Sequence, residues 1–211
     1  MGLSCNERPT IKGIKKDVDL RHCSEKLFFK ILFLIAFFLA LLVYLPAPAR
    51  SAERIIEGTV IRVSDGDTIQ VMIKNQTKLK IRLAGIDCPE IPKINHKTGK
   101  INKPGQPYGE EATDFVKRLV LGKHIKLVTY GPDRYKRVLA FVFVDGLNIN
   151  LEIVKAGLAE VYRGGGTIRA HREDLEAAER EARAAKRGVW AQGEKYESPA
   201  DFRRRMRIRG N

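Results

Sequence analysis

Five short stretches rich in β-branched residues, most of them closed by a tight-turn sequence, constrain this chain most. Ile55–Val63 stops at Ser64-Asp65-Gly66-Asp67, Thr68–Lys74 turns at Asn75-Gln76, and Thr77–Leu83 follows. His124–Tyr130 turns through Gly131-Pro132-Asp133 into Val138–Val144, which stops at Asp145-Gly146. Such stretches read as strands. Tight turns join antiparallel neighbours, whereas parallel strands need crossovers of a dozen or more residues. A small β-barrel is therefore expected rather than a doubly wound sheet.

Three helical signals accompany the strands. Glu110–Leu121 places Ala112, Phe115, Val116 and Leu119 on one face, with Glu110 and Glu111 in the first turn and Gly122 past the end. Asn148–Ala156 is shorter and stops at Gly157. Ile168–Arg187 carries the i,i+4 pairs Glu176/Arg180 and Glu179/Arg183 and a thin stripe of Leu175, Ala178, Ala182 and Ala185. The class is α+β, with about three helices packed on the barrel. Trp190 reads as a lid over the last helix, since Trp is usually largely buried.

Charge narrows the partners. The 211 residues hold 39 Lys and Arg against 25 Asp and Glu, a net +14, and residues 54–211 keep 31 basic against 20 acidic groups. Such a surplus predicts a polyanionic partner, nucleic acid or an anionic lipid surface. The 44% hydrophobic content argues against a disordered chain. Three cysteines make no disulfide scaffold, and Cys88 stands alone after residue 53. Arg203-Arg204-Arg205-Met206-Arg207-Ile208-Arg209 is expected to be a disordered basic tail adding non-specific affinity for polyanions.

Ile31 to Leu45 is an uninterrupted apolar run, preceded by Arg21, Lys26 and Lys30 and followed by Pro46-Ala47-Pro48-Ala49. It reads as a translocation signal. Its length leaves open a cleaved signal peptide and an uncleaved anchor that would hold the membrane through residues 27–45. Either way the rest is expected outside the cytoplasm, secreted, periplasmic or membrane-anchored. The expected organisation is a basic N-terminal region over 1–30, the signal or anchor over 31–49, the barrel domain over 54–191 and a basic tail over 192–211.

Oxygen-bearing side chains cluster at two turns. Asp65-Gly66-Asp67-Thr68 brings two carboxylates and a hydroxyl together, and Asp87-Cys88-Pro89-Glu90 brings two more carboxylates after a strand. That chemistry suits Ca²⁺, a hard cation that takes carboxylate, carbonyl and water oxygens. An ordinary hairpin turn is the competing reading of Asp-Gly. Arg82 ends one strand and Arg137 opens another, each a phosphate ligand or half of a surface salt bridge. Between Glu90 and Tyr108 lies a stretch with four lysines and neither helical nor strand period, expected to be a long mobile loop. It either guides a phosphate backbone or is a solvated insertion; His96 within it reads as exposed.

Taken together, these segments resemble the staphylococcal nuclease (thermonuclease) family. The resemblance runs through Ser64-Asp65-Gly66-Asp67-Thr68, Ile81-Arg82-Leu83-Ala84-Gly85-Ile86-Asp87-Cys88-Pro89-Glu90, Tyr108-Gly109-Glu110-Glu111-Ala112, Asp133-Arg134-Tyr135-Lys136-Arg137-Val138-Leu139-Ala140 and Lys186-Arg187-Gly188-Val189-Trp190, in order over about residues 55–191. It implies a five-stranded OB-fold barrel carrying a Ca²⁺-dependent phosphodiesterase site for DNA, RNA or both. By that resemblance Asp67 and Asp87 would hold Ca²⁺ by carboxylate and Cys88 by its backbone carbonyl. Glu90 would be the general base, with Arg82 and Arg137 as catalytic phosphate clamps. Tyr135, Arg134, Lys136 and Tyr162 would contact the nucleic acid, while Asp65 and Thr68 would stand behind the metal ligands. Cys88 replaces the family's common threonine, and Lys136 a common glycine. A monomer without a protein partner is expected. The competing class is a non-catalytic OB-fold module that binds single strands without cutting them.

Overall fold

The computed structural model describes residues 30–38, 54–95, 97–164 and 170–209. The chain divides into two units between Arg50 and Ser51. In the first, residues 30–38 are helical and exposed. The rest of the apolar run and the small-residue stretch at 46–49 lie outside the described residues. Among the described residues no helix is long and apolar enough to cross a membrane.

In the second unit the chain runs β1 (Arg54–Asp65), β2 (Thr68–Met72), β3 (Lys78–Leu83), β4 (Ile86–Asp87), β5 (Lys93–Ile94), β6 (Ile101–Lys103), α1 (Gly109–Val120), β7 (His124–Pro132), β8 (Val138–Val144), β9 (Leu147–Asn148), α2 (Ile149–Lys155), β10 (Glu160–Val161), α3 (Arg172–Ala184) and α4 (Pro199–Arg209). The main sheet has the order β3-β2-β1-β7-β8-β9 and closes through a β3–β8 pairing. Five strands thus form a closed barrel of the OB type. All its long pairings are antiparallel except the closing one, in which Ile81, Arg82 and Leu83 face Val138, Leu139 and Ala140 in parallel.

Alternation decides which residues fill the barrel. Side chains two apart share a face, so Ile69 and Val71, Ile81 and Leu83, Ile125 and Leu127, and Ala140 and Val142 all point into the core and are buried. Strand β1 is long enough to pair with both β2 and β7, and register shifts at Val60/Arg62 and Val63/Asp65 bend it around the closure. α1 buries Ala112, Thr113, Val116 and Val120. Phe115 and Leu119 are only partly buried, so the apolar face is turned slightly from the expected stripe.

α2 begins at Asn148, whose side chain accepts from the Leu151 N–H. Its Asn150 is fully buried: Nδ2 donates to the carbonyls of Ala84 (2.8 Å) and Ala140 (3.3 Å), and Oδ1 accepts from the Val142 N–H (3.0 Å). This amide ties the turn after β3 to β8. Asn150→Ala is expected to destabilise the protein by about 2–4 kcal/mol, because each orphaned buried group costs roughly 1–3 kcal/mol. Denaturant midpoints at unchanged slope read the loss; a shift of the midpoint within error would show that the backbone finds other partners.

Two expectations are corrected. The stretch after Glu90 is not structureless: β5 and β6 pair, and the Asn95 side chain accepts from the Lys97 and Thr98 N–H groups to close the turn. Strands of two and three residues are too short to show a period. His96 lies outside the described residues. The arginine-rich terminus is not a disordered tail either, because 199–209 form α4 and Phe202 is buried. Ser198 Oγ accepts from the Asp201 N–H (3.1 Å), and Pro199 takes the first helical position, a helix start that the run of arginines obscures. Trp190 is buried beside Ala182 and Val189, as a lid on α3, with the Arg183 guanidinium 3.8 Å above its ring.

Candidate active site

The turn between β1 and β2 carries Asp67 into the barrel's edge. Its close seat depends on Gly66, where a Cβ would lie 2.9 Å from the Cβ atoms of both Cys88 and Ala112. Asp67 is 4% exposed; Oδ1 accepts from Thr68 Oγ1 (3.0 Å) and Oδ2 from the Cys88 N–H (3.1 Å). Asp87, in β4, is 1% exposed and pairs across to Glu160 of β10. Two buried carboxylates, one from a turn and one from β4, require a positive partner. Arg82, opposite Thr68 in β3, supplies it. Its Nη1 pairs with Asp67 Oδ1, while Nη2 sits 2.7 Å from Asp87 Oδ1 and donates to the Ile86 carbonyl at 3.3 Å.

Glu90 stands three residues after Asp87 and is held by its backbone. Its N–H donates to Gln106 Oε1 (3.1 Å), and its carbonyl accepts from the Gln106 N–H (2.8 Å). A Cβ at position 109 would lie 2.5 Å from that carbonyl, so Gly109 allows α1 to start against Glu90. The Glu90 carboxylate accepts from Arg203 Nη1 at 2.8 Å. The same guanidinium reaches Asp87, with Nη2 2.6 Å from Oδ2 and Nη1 3.2 Å from Oδ1. Burial opposes the charge on Arg203, but the bonds to Asp87 and Glu90 outweigh it and raise its pKa further.

Arg137 does not join this cluster directly. It is folded onto Asp133, whose Oδ2 accepts from Nε (2.8 Å) and lies 2.6 Å from Nη2. Asp133 Oδ1 also accepts from the Tyr135 and Arg137 N–H groups, fixing the turn. Burial raises the Asp133 pKa, but these bonds outweigh it and hold the carboxyl below its ordinary value. The parallel register places Leu139 beside Arg82, so Arg137, two residues earlier, shares the Arg82 face of the sheet. Asp65, whose Oδ1 accepts from the Asp67 N–H at 3.2 Å, feels both charges. Burial lifts its pKa above the ordinary value, against Thr68 and the charges of Arg82 and Arg137.

The candidates for contact with nucleic acid are exposed. Tyr135, Arg134 and Lys136 are exposed on the β7–β8 turn, with the guanidinium carbons of Arg134 and Arg137 4.8 and 5.4 Å from the Tyr135 ring centroid. Lys136 has φ 61°, a left-handed conformation that explains why glycine suits that position and costs a side-chain-bearing residue about 1–2 kcal/mol. Tyr162 is 38% exposed, and its N–H donates to the Gly85 carbonyl beside β4. The Cys88 thiol is buried, which pushes its pKa well up, so it stays a neutral thiol with no ligating charge. No sequence signal marks Gln106 or Arg203 as part of the site: one is a lone amide in a loop, the other one arginine among several.

Among the described residues no three His, Cys, Asp or Glu side chains form a ready-made metal cage. The donor set still fits a hard cation: Asp67 and Asp87 turn carboxylate oxygens toward positive groups, and such an ion completes its shell with carbonyls and water.

The family model for staphylococcal nuclease homologues matches residues 80–192. The chain belongs to the staphylococcal nuclease family. That membership makes it a hydrolytic nuclease with nucleic acid as substrate. It is 32% identical to endonuclease Htp3 of Saprolegnia parasitica over 172 residues, covering 72% of this chain and 78% of that protein. It is 39% identical to an uncharacterized endonuclease of Escherichia coli over 137 residues (64% and 78%). A third, an uncharacterized endonuclease of Haemophilus influenzae, is 34% identical over 149 residues (71% and 74%).

Proposed function

We propose that this protein is a calcium-dependent nuclease that hydrolyses phosphodiester bonds of DNA, RNA or both with little sequence preference. The observation that supports this best is Arg82, which gathers Asp67 from a turn and Asp87 from β4, the latter sharing Arg203 with Glu90. Asp67 and Asp87 would hold Ca²⁺ by carboxylate, completed by the Cys88 carbonyl and water, and the ion when bound supplies electrostatic stabilisation of the phosphoryl oxygens.

Glu90 accepts the proton of the attacking water. Arg82 and Arg137 meet the charge gathering on the phosphoryl oxygens, a task for which a guanidinium fork suits two oxygens at once and an ammonium does not. Tyr135, Arg134, Lys136 and Tyr162 contact the nucleotide chain, and the lysines of the β5–β6 hairpin lie along its path. Phosphate contacts carry no base information, which accounts for weak sequence preference. Asp65 and Thr68 hold the Asp67 side of the site in place.

Residues 31–49 are read as the export signal or anchor, 1–30 as a basic leader, 54–191 as the catalytic domain and 192–211 as a basic C-terminal extension, with the nuclease outside the cytoplasm and monomeric. The purified protein is expected to degrade nucleic acid on addition of CaCl₂ and to stop when a chelator is added. Tight binding without cleavage in any divalent salt would instead favour the non-catalytic module.

A further inference from the structure

We propose that Arg203 is a built-in competitor of the activating cation, so that its guanidinium and the ion occupy the Asp87 carboxylate in turn, with Glu90 engaged by the same guanidinium in the closed state. The inference rests on the calcium reading above and adds to it a closed state. The guanidinium reaches both carboxylates from a helix more than a hundred residues downstream, at 2.6 and 3.2 Å from Asp87 and 2.8 Å from Glu90. In that position the lone pairs of Asp87 that a cation needs already accept N–H groups, and Glu90 Oε1 is engaged instead of facing water. One side chain therefore engages both the metal ligand and one oxygen of the base.

The delivery of Arg203 is built, not incidental. Phe202 is buried next to it, Arg205 stacks over the Phe202 ring at 5.1 Å and forks onto Glu197 at 2.6 and 2.7 Å, and Gln106 Nε2 donates to the Glu197 carbonyl at 2.9 Å. Gln106 is also the residue that clamps the Glu90 backbone. Helix α4 and the base are thus held by the same amide. The neighbouring Arg204 points away, pairing with Asp201 of its own helix. Arg82 already engages Asp87 Oδ1, so Arg203 on Oδ2 takes the Asp87 oxygen that Arg82 leaves for a cation.

Calorimetric titration of the full-length chain with CaCl₂ tests this. A site closed nine-tenths of the time binds about tenfold more weakly than the open site, so Arg203→Ala is expected to raise Ca²⁺ affinity about tenfold. Arg203→Lys, which keeps the charge but loses the fork, is expected to fall between, and it keeps the test open should the alanine variant fail to fold. Arg204→Ala removes the same net charge outside the site and is expected to change affinity less than about twofold. Equal or weaker binding by both Arg203 variants, or an equal gain in Arg204→Ala, overturns the competitor while leaving the calcium site standing. No binding by any of these proteins overturns the calcium site, and the competitor with it.

Discussion

Glu90→Gln is expected to lower turnover by about 10²–10⁴, the usual contribution of a positioned proton acceptor, with almost no loss of stability. The amide keeps the shape and removes the basic oxygen. The backbone bonds to Gln106 that hold the residue do not involve its side chain, so its placement survives. Only the ion pair to Arg203 is weakened, and both partners are about a third exposed, where such pairs contribute about 0–1 kcal/mol. Single-turnover cleavage at saturating CaCl₂ together with a thermal melt separates the two effects. Activity retained within a few fold would remove Glu90 from the chemistry.

Arg82→Ala should be costly in both respects. Turnover is expected to fall about 10²–10³ through loss of one positioned donor to the phosphate. The fold should lose about 3 kcal/mol, since breaking a buried ion pair leaves an uncompensated carboxylate, here Asp67 at 4% exposure, while Asp87 keeps its pair with Arg203. CaCl₂ should return much of that stability, because an ion at about 100 times its Kd adds about 2.7 kcal/mol. Arg82→Lys sharpens the case: it restores one positive charge, and with it part of the melting temperature, but cannot bridge two carboxylates or fork onto a phosphate. A melting temperature of Arg82→Ala that ignores CaCl₂ would show that the two carboxylates are not a cation site.

The barrel was legible because its signal is local. Each strand is long enough to show alternation, and each turn carries Asp, Asn, Gly or Pro where the chain must reverse. The β5–β6 hairpin and α4 escaped for opposite reasons. The hairpin is shorter than any period, and α4 has only Phe202, Met206 and Ile208 among its arginines, so its Ser198-Pro199 start was outweighed by its charge. At the site, the family resemblance names Arg82, Asp67, Asp87 and Glu90 as candidates. Their contacts could not be read from the sequence, and neither could the retreat of Arg137 onto Asp133, four residues away.

The sequence alone determined the five barrel strands, the three helices α1, α2 and α3 and the basic charge, because these depend on residue type and short-range spacing. Only the tertiary structure decided which charge meets which. Barrel closure sets Arg82 between Asp67 and Asp87, and the docking of Phe202 delivers Arg203 to carboxylates far away in the chain. Electrostatic pairing depends on distances of a few ångströms in space, which linear order does not encode.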